Sequence, residues 1–276
     1  MEKIRKNKKV IAVFLIPAVL IYLCFELIPV VMSVYFSFND WPGLQAVPLK
    51  FVGFKNYSNL FHNAVFLKSL QNVLIYVVVS VILQVPIGFG LGLLIHHFKK
   101  GQRFFKAAFF IPMILSVTAV ALLWNFIYFP TDKGILNSLL IKIGLGNYIQ
   151  QWLVNPKTSL ICLIVVSTWT SVGYYMIICL AGLTSIPDSV LEAGELDGAT
   201  GWKKIWNLYI PMLWEPLKMS TIMVITGVLK IFDTVYILTP TGGTSNCTIV
   251  PALLMYNEAY RYGHYGTGSA IATVIF

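Results

Sequence analysis

Five stretches of this chain, near residues 10–36, 70–95, 105–128, 158–183 and 208–238, are long, apolar and poor in charge. About 20 such residues suffice for a helix to cross the hydrocarbon core of a bilayer. Lipid offers the backbone no hydrogen-bond partner, so a crossing segment must satisfy its own amides, and runs of this length do so as α-helices. A sixth run starts near Gly266, in "GTGSAIATVIF", and extends for about half a span up to residue 276, so the last helix is expected to be incomplete. The composition agrees: 57% of the 276 residues are hydrophobic and 11% are charged, whereas a soluble domain carries about 25% charged residues. The expected fold class is an all-α membrane protein of six transmembrane helices, forming a single domain over 1–276.

The first run contains Pro17 and Glu26 and exceeds the core of a signal peptide, so it reads as a retained span. Orientation follows from the basic residues in the connections. Lys3, Arg5, Lys6, Lys8 and Lys9 precede the first span; Lys99, Lys100, Arg103 and Lys106 lie at 96–106; Lys203 and Lys204 lie at 184–207. These eleven outnumber the seven in the longer loops opposite. The N-terminus and the segment 184–207 are therefore expected in the cytoplasm. The net charge of +9 reads as a topology signal; no basic face with interleaved aromatics suggests nucleic acid. Trp41, Tyr57, Trp124, Tyr128 and Trp152 in and beside the outer loops suit interfacial anchoring. Cys24, Cys162, Cys179 and Cys247 form no C-x-x-C pair, and the four histidines lack metal-ligand spacing. Within the spans, Glu215 with Lys218 and Lys230 with Asp233 are spaced to pair one helical turn apart.

One cytoplasmic segment departs from this apolar pattern. "LEAGELDGATGWKKIWNLYIP", residues 191–211, holds Glu192, Glu195, Asp197, Lys203 and Lys204. Ser185, Pro187 and Asp188 read as a helix start. The helix should run to about Asp197, with Gly198 ending it in a left-handed conformation. Thr200 is placed to cap a second short helix bearing Trp202, Ile205, Trp206 and Tyr209. Asp188, Glu192 and Glu195 share one face by their spacing. Two helices this short cannot stabilise themselves alone, and acids facing an anionic leaflet would be repelled. A protein partner with a groove and basic residues suits the segment better than the membrane surface does.

The pattern E-A-x-x-x-D-G-A, followed by an apolar-Pro-apolar stop in "EAGELDGATGWKKIWNLYIPML", resembles the EAA coupling loop of ABC importer permeases, with Gly194 in place of the second alanine. "FVGFKNYSNLF", "FFKAAFFIPMILSVTAVALLWNFIY", "GILN", "FDTVYILTPTGG" and "YGTGSA" resemble segments of the maltose-type carbohydrate permeases. The family's "TxGGP" stands here as "TPTGGT", so the outer end of the fifth span is expected to turn differently. The resemblance implies a type I permease fold and a membrane subunit importing a sugar or oligosaccharide from an extracytoplasmic binding protein. It further implies a dimer of separate ABC ATPases that use ATP and magnesium, and a second permease, usually a different homologous chain. The location implied is the cytoplasmic membrane of a bacterium or archaeon. The chain has no G-x-x-x-x-G-K-[ST] loop, so it is read as a transport subunit, not an enzyme, with no cofactor of its own.

By the resemblance, Glu192, Ala193, Asp197, Gly198 and Ala199 are the residues that meet the ATPase. In the fourth span Ser167, Thr170, Ser171 and Tyr174 form one polar stripe. Hydroxyls there suit a neutral sugar and equally suit helix packing in lipid; the resemblance favours lining of the solute path. Val224 and Val228 make the fifth span apolar. The alternatives are an ABC importer for a polyamine, amino acid or phosphate, whose charge would favour charged cavity residues, and a secondary transporter, which would need paired broken helices in both halves.

Overall fold

A computed structural model describes residues 8–44, 46–98 and 101–276. Lys3, Arg5, Lys6, Lys99 and Lys100, which contribute to the charge asymmetry between connections, lie outside the described residues.

Helix α1 (Lys8–Tyr22) passes through a π-helical turn, Leu23–Leu27, into α2 (Ile28–Ser37). Two short strands follow, β1 (Asn39–Asp40) and β2 (Lys50–Phe51), paired antiparallel with Asn39 opposite Phe51. Next come α3 (Lys55–His62), α4 (Ala64–His97), α5 (Gln102–Ile114), α6 (Val117–Ile127), α7 (Ile135–Lys142) and α8 (Ser159–Thr184). The chain continues through α9 (Asp188–Leu196), α10 (Gly201–Lys204), a second π-turn at Ile205–Tyr209, α11 (Ile210–Met212) and α12 (Trp214–Leu229). It ends with α13 (Asp233–Leu238), α14 (Pro251–Tyr256), a π-turn at Asn257–Arg261, and α15 (Tyr265–Ile275). These elements fall into two compact units, one built from the chain up to Leu67 with Leu254–Phe276, the other from Lys68–Leu253.

In the first unit α15 packs on α2. Asn39 is the junction. Its amide donates to Tyr35 O at 2.7 Å, and its carbonyl accepts from Asn56 Nδ2 at 2.9 Å. The same Asn56 nitrogen donates to Ser37 O at 2.8 Å. A Cβ at Gly266 would overlap the Asn39 carbonyl. Two of the sequence segments noted above, the one containing Asn56 and the one containing Gly266, therefore meet at a single backbone carbonyl.

In the second unit α4 lies against α8 at a glycine-lined crossing. A Cβ at Gly88 would come within 2.8 Å of Tyr175 Cβ, and one at Gly92 within 3.2 Å of Cys179 Cβ. This is a G-x-x-x-G face, which lets two backbones approach closely where lipid gives no hydrophobic drive for association. On α8, Gly173 leaves no room for a side chain against the Phe109 carbonyl of α5. The fully buried Met176 sits with Ile95 and Leu180 beside these contacts.

Among the described residues three helices are long and apolar enough to cross a membrane: Ala12–Ser37, Ala64–His97 and Ser159–Thr184. The second has 34 residues, about 50 Å at 1.5 Å per residue, well beyond the ~30 Å core. The stretches expected as spans at 105–128 and 208–238 are bent. Gln102–Ile114 and Val117–Ile127 meet at 98°, and Gly201–Met212 and Trp214–Leu229 at 73°; five spans result if each bent pair counts as one. The first bend follows Leu115, which is extended, and Ser116, whose Oγ accepts from Ala119 N at 3.2 Å and starts a new helix. The second lies at Leu213, where Pro216 has no N–H for the Met212 carbonyl and its ring clashes with that carbonyl in a regular helix.

The two expected in-span ion pairs part company. Lys218 Nζ lies 2.6 Å from Glu215 Oε1. Lys230 and Asp233 form no pair among the described residues, because α12 ends at Leu229 and Asp233 opens a separate helix. In the 239–244 turn both Gly242 and Gly243 have positive φ, and Thr248 Oγ1 donates to Thr239 Oγ1 at 2.9 Å.

Candidate functional site

The segment 185–212 folds as two short helices set on a small core. Leu183, Ile186, Tyr209 and Leu213 are buried together, with Val190 and Leu191 of α9 packed against them. The caps differ from those expected. Ser185 Oγ donates back to Gly182 O at 2.7 Å instead of capping α9, leaving Pro187 at the N-cap position. Thr200 occupies the N-cap of α10 without a side-chain bond. The C-terminus of α9 is as expected. Gly198 has φ +80, Ala199 N donates to Gly194 O at 2.9 Å, and Gly198 N donates to Glu195 O at 3.0 Å, the paired bonds of a Schellman stop. Gly194, the departure from the usual alanine, faces Leu208: a Cβ there would sit 3.2 Å from Leu208 Cδ2.

One ion pair ties the two short helices together. Lys204 Nζ lies 2.6 Å from Glu195 Oε1 and 5.6 Å from the centre of the Tyr209 ring. The hydrogen bond from Lys204, reinforced by its charge, holds the Glu195 carboxyl below the usual range. The same bond raises the Lys204 ammonium above its ordinary value. Of the three acids expected on one face, Glu195 is thus engaged within the element. Among the described residues the Glu192 and Asp197 carboxylates have no hydrogen-bond or ion-pair partner. Glu192, Ala193, Asp197 and Gly198 are exposed, and Ala199 is half-buried. Leu196 and Trp202 join them at 89% and 71% exposure. Sequence reasoning had placed no role on Leu196; a leucine beside the helix stop is an apolar residue that finds no core of its own.

A cavity of about 240 Å³ lies farther along the second unit, bounded by α4, α8, α12 and the α5–α6 bend. Ser167, Thr170 and Ser171 line it as one face of α8. The fourth residue of the expected stripe is turned away: Tyr174 OH meets Met223 Sδ at 3.8 Å, and Tyr175 takes its place on the wall. Ser167 Oγ also accepts from Tyr76 OH at 3.1 Å, so part of its capacity serves packing. Gln84 of α4 and Thr234 of α13 complete the polar lining. An amide such as Gln84 within so apolar a helix is the sequence signal for this wall of the cavity. Val224 and Val228 face the cavity as its apolar wall, and no charged side chain lines it among the described residues.

Residues 84–276 match the family described as "Binding-protein-dependent transport system inner membrane component". The chain belongs to this family. It is 36% identical over 275 residues to the probable ABC transporter permease protein YurN of Bacillus subtilis, covering 99% of this chain and 92% of the relative. It is 32% identical over 251 residues to the lactose transport system permease protein LacF of Rhizobium radiobacter, covering 90% and 83%. The fold superimposes on a chain of a bacterial alginate ABC transporter crystallised with an alginate pentasaccharide-bound periplasmic protein. That match has a TM-score of 0.84 and 22% identity, and covers 99% of this chain and 92% of that one.

As a member of this family the protein is an ABC transporter permease subunit, a multi-pass membrane component and not an enzyme. Membership implies a solute-binding protein and an ATPase as partners. A count of apolar residues could not have revealed the two bent pairs of this chain, because hydropathy measures length and not direction.

Proposed function

We propose that this permease forms part of the path for a neutral sugar or oligosaccharide delivered by an extracytoplasmic binding protein. The N-terminus lies in the cytoplasm and a second, different permease completes the path. Separate ATPases, using ATP and magnesium, drive transport through 188–206. What supports the solute class most is the cavity on α8: hydroxyls of Ser167, Thr170, Ser171 and Thr234 and the amide of Gln84, with no charge among them. Sugar hydroxyls need donors and acceptors, whereas a phosphate or polyamine would have to shed its hydration without an opposite charge to meet it. The lactose permease relative points the same way.

The role of 188–206 is supported by its construction. A core, a glycine stop and an ion pair hold it in one shape, while Glu192, Asp197, Leu196 and Trp202 face outward. In this reading Glu192 and Asp197 meet basic groups of the ATPase, Leu196 fills its apolar cleft, and Ala193, Gly198 and Ala199 allow close approach. Closure of the ATPase dimer then moves α8 and α12, which the element joins.

The test is the complete importer in proteoliposomes, with ATP hydrolysis followed as the binding protein is supplied with lactose, maltose, raffinose, spermidine, glutamine or phosphate in turn. Stimulation by a neutral sugar is expected; stimulation confined to a charged solute overturns the solute class. Glu192→Ala is expected to lower solute-stimulated hydrolysis and uptake at least about tenfold, as loss of one partner of an interfacial charge pair costs 2–5 kcal/mol. The inserted amount of protein should not change. Wild-type coupling in that variant would remove Glu192 from the interface.

A further inference from the structure

The second unit contains a larger hollow of about 900 Å³ that the transport reading leaves unused. Its floor is Pro86, Phe89, Gly90 and Leu93 of α4 with Leu217 of α12. Its mouth is formed by Trp202, Trp206 and Trp214 with His97 and Lys204. We propose that this groove is a binding site for one anionic phospholipid, with its acyl chains along α4 and its headgroup at Lys204.

Four features select that occupant. First, the groove is one leaflet deep. The lining runs along α4 from Val85 to His97, about 18 Å at helical rise, against roughly 15 Å for half the hydrocarbon core. Second, polarity changes along that length. The Val85 end is apolar, and the far end carries the ammonium, the imidazole and three indoles, the side chains that favour the headgroup level. Third, the charge is right for an anion. Glu195 occupies one Lys204 donor at 2.6 Å and Tyr209 takes a second, leaving one for a phosphate. No carboxylate lines the groove. Lys203 adjoins Lys204, and the start of α5 is basic, with Arg103 and Lys106. Fourth, the walls near the mouth are open from the side: Leu94, Trp206 and Trp214 are 55%, 56% and 57% exposed, so a chain can enter laterally from the bilayer. A hydrophilic solute has nothing to gain along the floor, where the side chains are apolar apart from Thr221.

Occupancy would have a mechanical consequence. The groove is walled on one side by α4 and on the other by α10, the π-turn after it and the start of α12. A lipid there braces the second helix of the coupling element against a long span.

The experiment uses the complete transporter in nanodiscs of phosphatidylcholine containing an equal mole fraction of either photoreactive phosphatidylglycerol or photoreactive phosphatidylcholine, with adducts mapped by peptide mass spectrometry. Adducts on 85–97 and 202–221 are expected to be roughly fivefold more abundant with phosphatidylglycerol, the gain of one basic contact near a surface. The span Ala12–Ser37 should show no such preference. Gly90→Leu fills the floor without backbone conflict, since a Cβ at Gly90 meets nothing within 4 Å; it should remove adducts of both lipids. Glu195→Gln with Lys204→Gln, which leaves no orphaned charge, should abolish only the phosphatidylglycerol excess. Equal labelling by the two lipids, persistence of the excess in Gly90→Leu, or no lipid adduct on these peptides would each overturn the assignment.

Discussion

The amide of Asn137 donates to three carbonyls, Phe129 O at 3.3 Å, Thr131 O at 3.1 Å and Gln150 O at 3.1 Å, while its oxygen accepts from Trp152 Nε1 at 2.8 Å. The residue is fully buried, and Gly134 beside it has no space for a Cβ against the Phe129 carbonyl. The short "GILN" segment that linked this chain to its family is thus a staple for the loop between α6 and α8. Within this staple the Trp152 indole N–H is engaged with Asn137. Asn137→Ala leaves carbonyls and an indole N–H without their partner, at about 1–3 kcal/mol for each buried group so stranded. A clear fall in melting temperature in detergent is expected. Asn137→Asp should not rescue it, because a carboxylate keeps the acceptor for Trp152 but faces three carbonyls with no donor. A melting temperature unchanged in either variant would exclude the staple. Tyr174 and Tyr175 mark the limit of legibility at this scale. Both are aromatic neighbours near a polar stripe, and helical spacing favoured Tyr174. The choice was decided by Met223 on another helix, which periodicity within α8 does not register.

At the scale of elements, the long helices were legible because each is a long apolar run poor in charge. The stop at Gly198 was legible because only a left-handed residue satisfies both terminal carbonyls of α9. The bends at Leu115 and Leu213 were not. Pro112, Ser116 and Pro216 were visible, yet proline is tolerated within membrane helices when neighbours re-satisfy the freed backbone, so its presence alone does not dictate a break. The Glu195–Lys204 tie was also missed: spacing within α9 grouped Glu195 with Glu192, while its partner lies beyond the glycine stop. The tie makes the element sensitive to pH at both ends of the scale. Because the Glu195 pKa is lowered on folding, its contribution is present above the unfolded value and is lost as pH falls through the folded one. Because the Lys204 pKa is raised, its contribution is complete below the unfolded value and is lost as pH rises through the folded one. The helix pair should therefore be tied throughout the neutral range and loosen in strong acid. Hydrogen exchange of amides 196–206 measures this. At neutral pH Glu195→Gln should exchange faster than wild type, and the difference should vanish, after correction for intrinsic rates, once acid protonates Glu195 in the wild type. Equal exchange at neutral pH would mean that the pair contributes nothing to the element.

At the scale of the whole molecule, the question is whether 188–206 is shaped for its own stability or for something that docks on it, and Gly198 separates the two. Its φ of +80 demands glycine only mildly. A non-glycine residue in the left-handed region costs roughly 1–2 kcal/mol, and Asp and Asn are the residues other than glycine that occasionally occupy it. A Cβ at Gly198 meets nothing within 4 Å, so within this subunit a side chain has open space. Gly198→Asp should therefore insert and fold, with a small loss of stability, and Gly198→Asn should carry the same backbone cost without the charge. Against a docked ATPase the outcome differs, because the added side chain occupies the space the partner needs. Both variants are expected to co-purify less ATPase and to lose solute uptake. Asp differs further from Asn to the extent that its charge is buried at the contact. The measurements are the ratio of ATPase to permease after purification and the initial uptake rate in cells, each set against the melting temperature of the isolated permease. A stability loss as large as the functional loss would assign Gly198 to folding. Uptake at the wild-type rate in both variants would mean that the tip of the two-helix element touches no partner, and the docking role proposed for Asp197 beside it would fall with it.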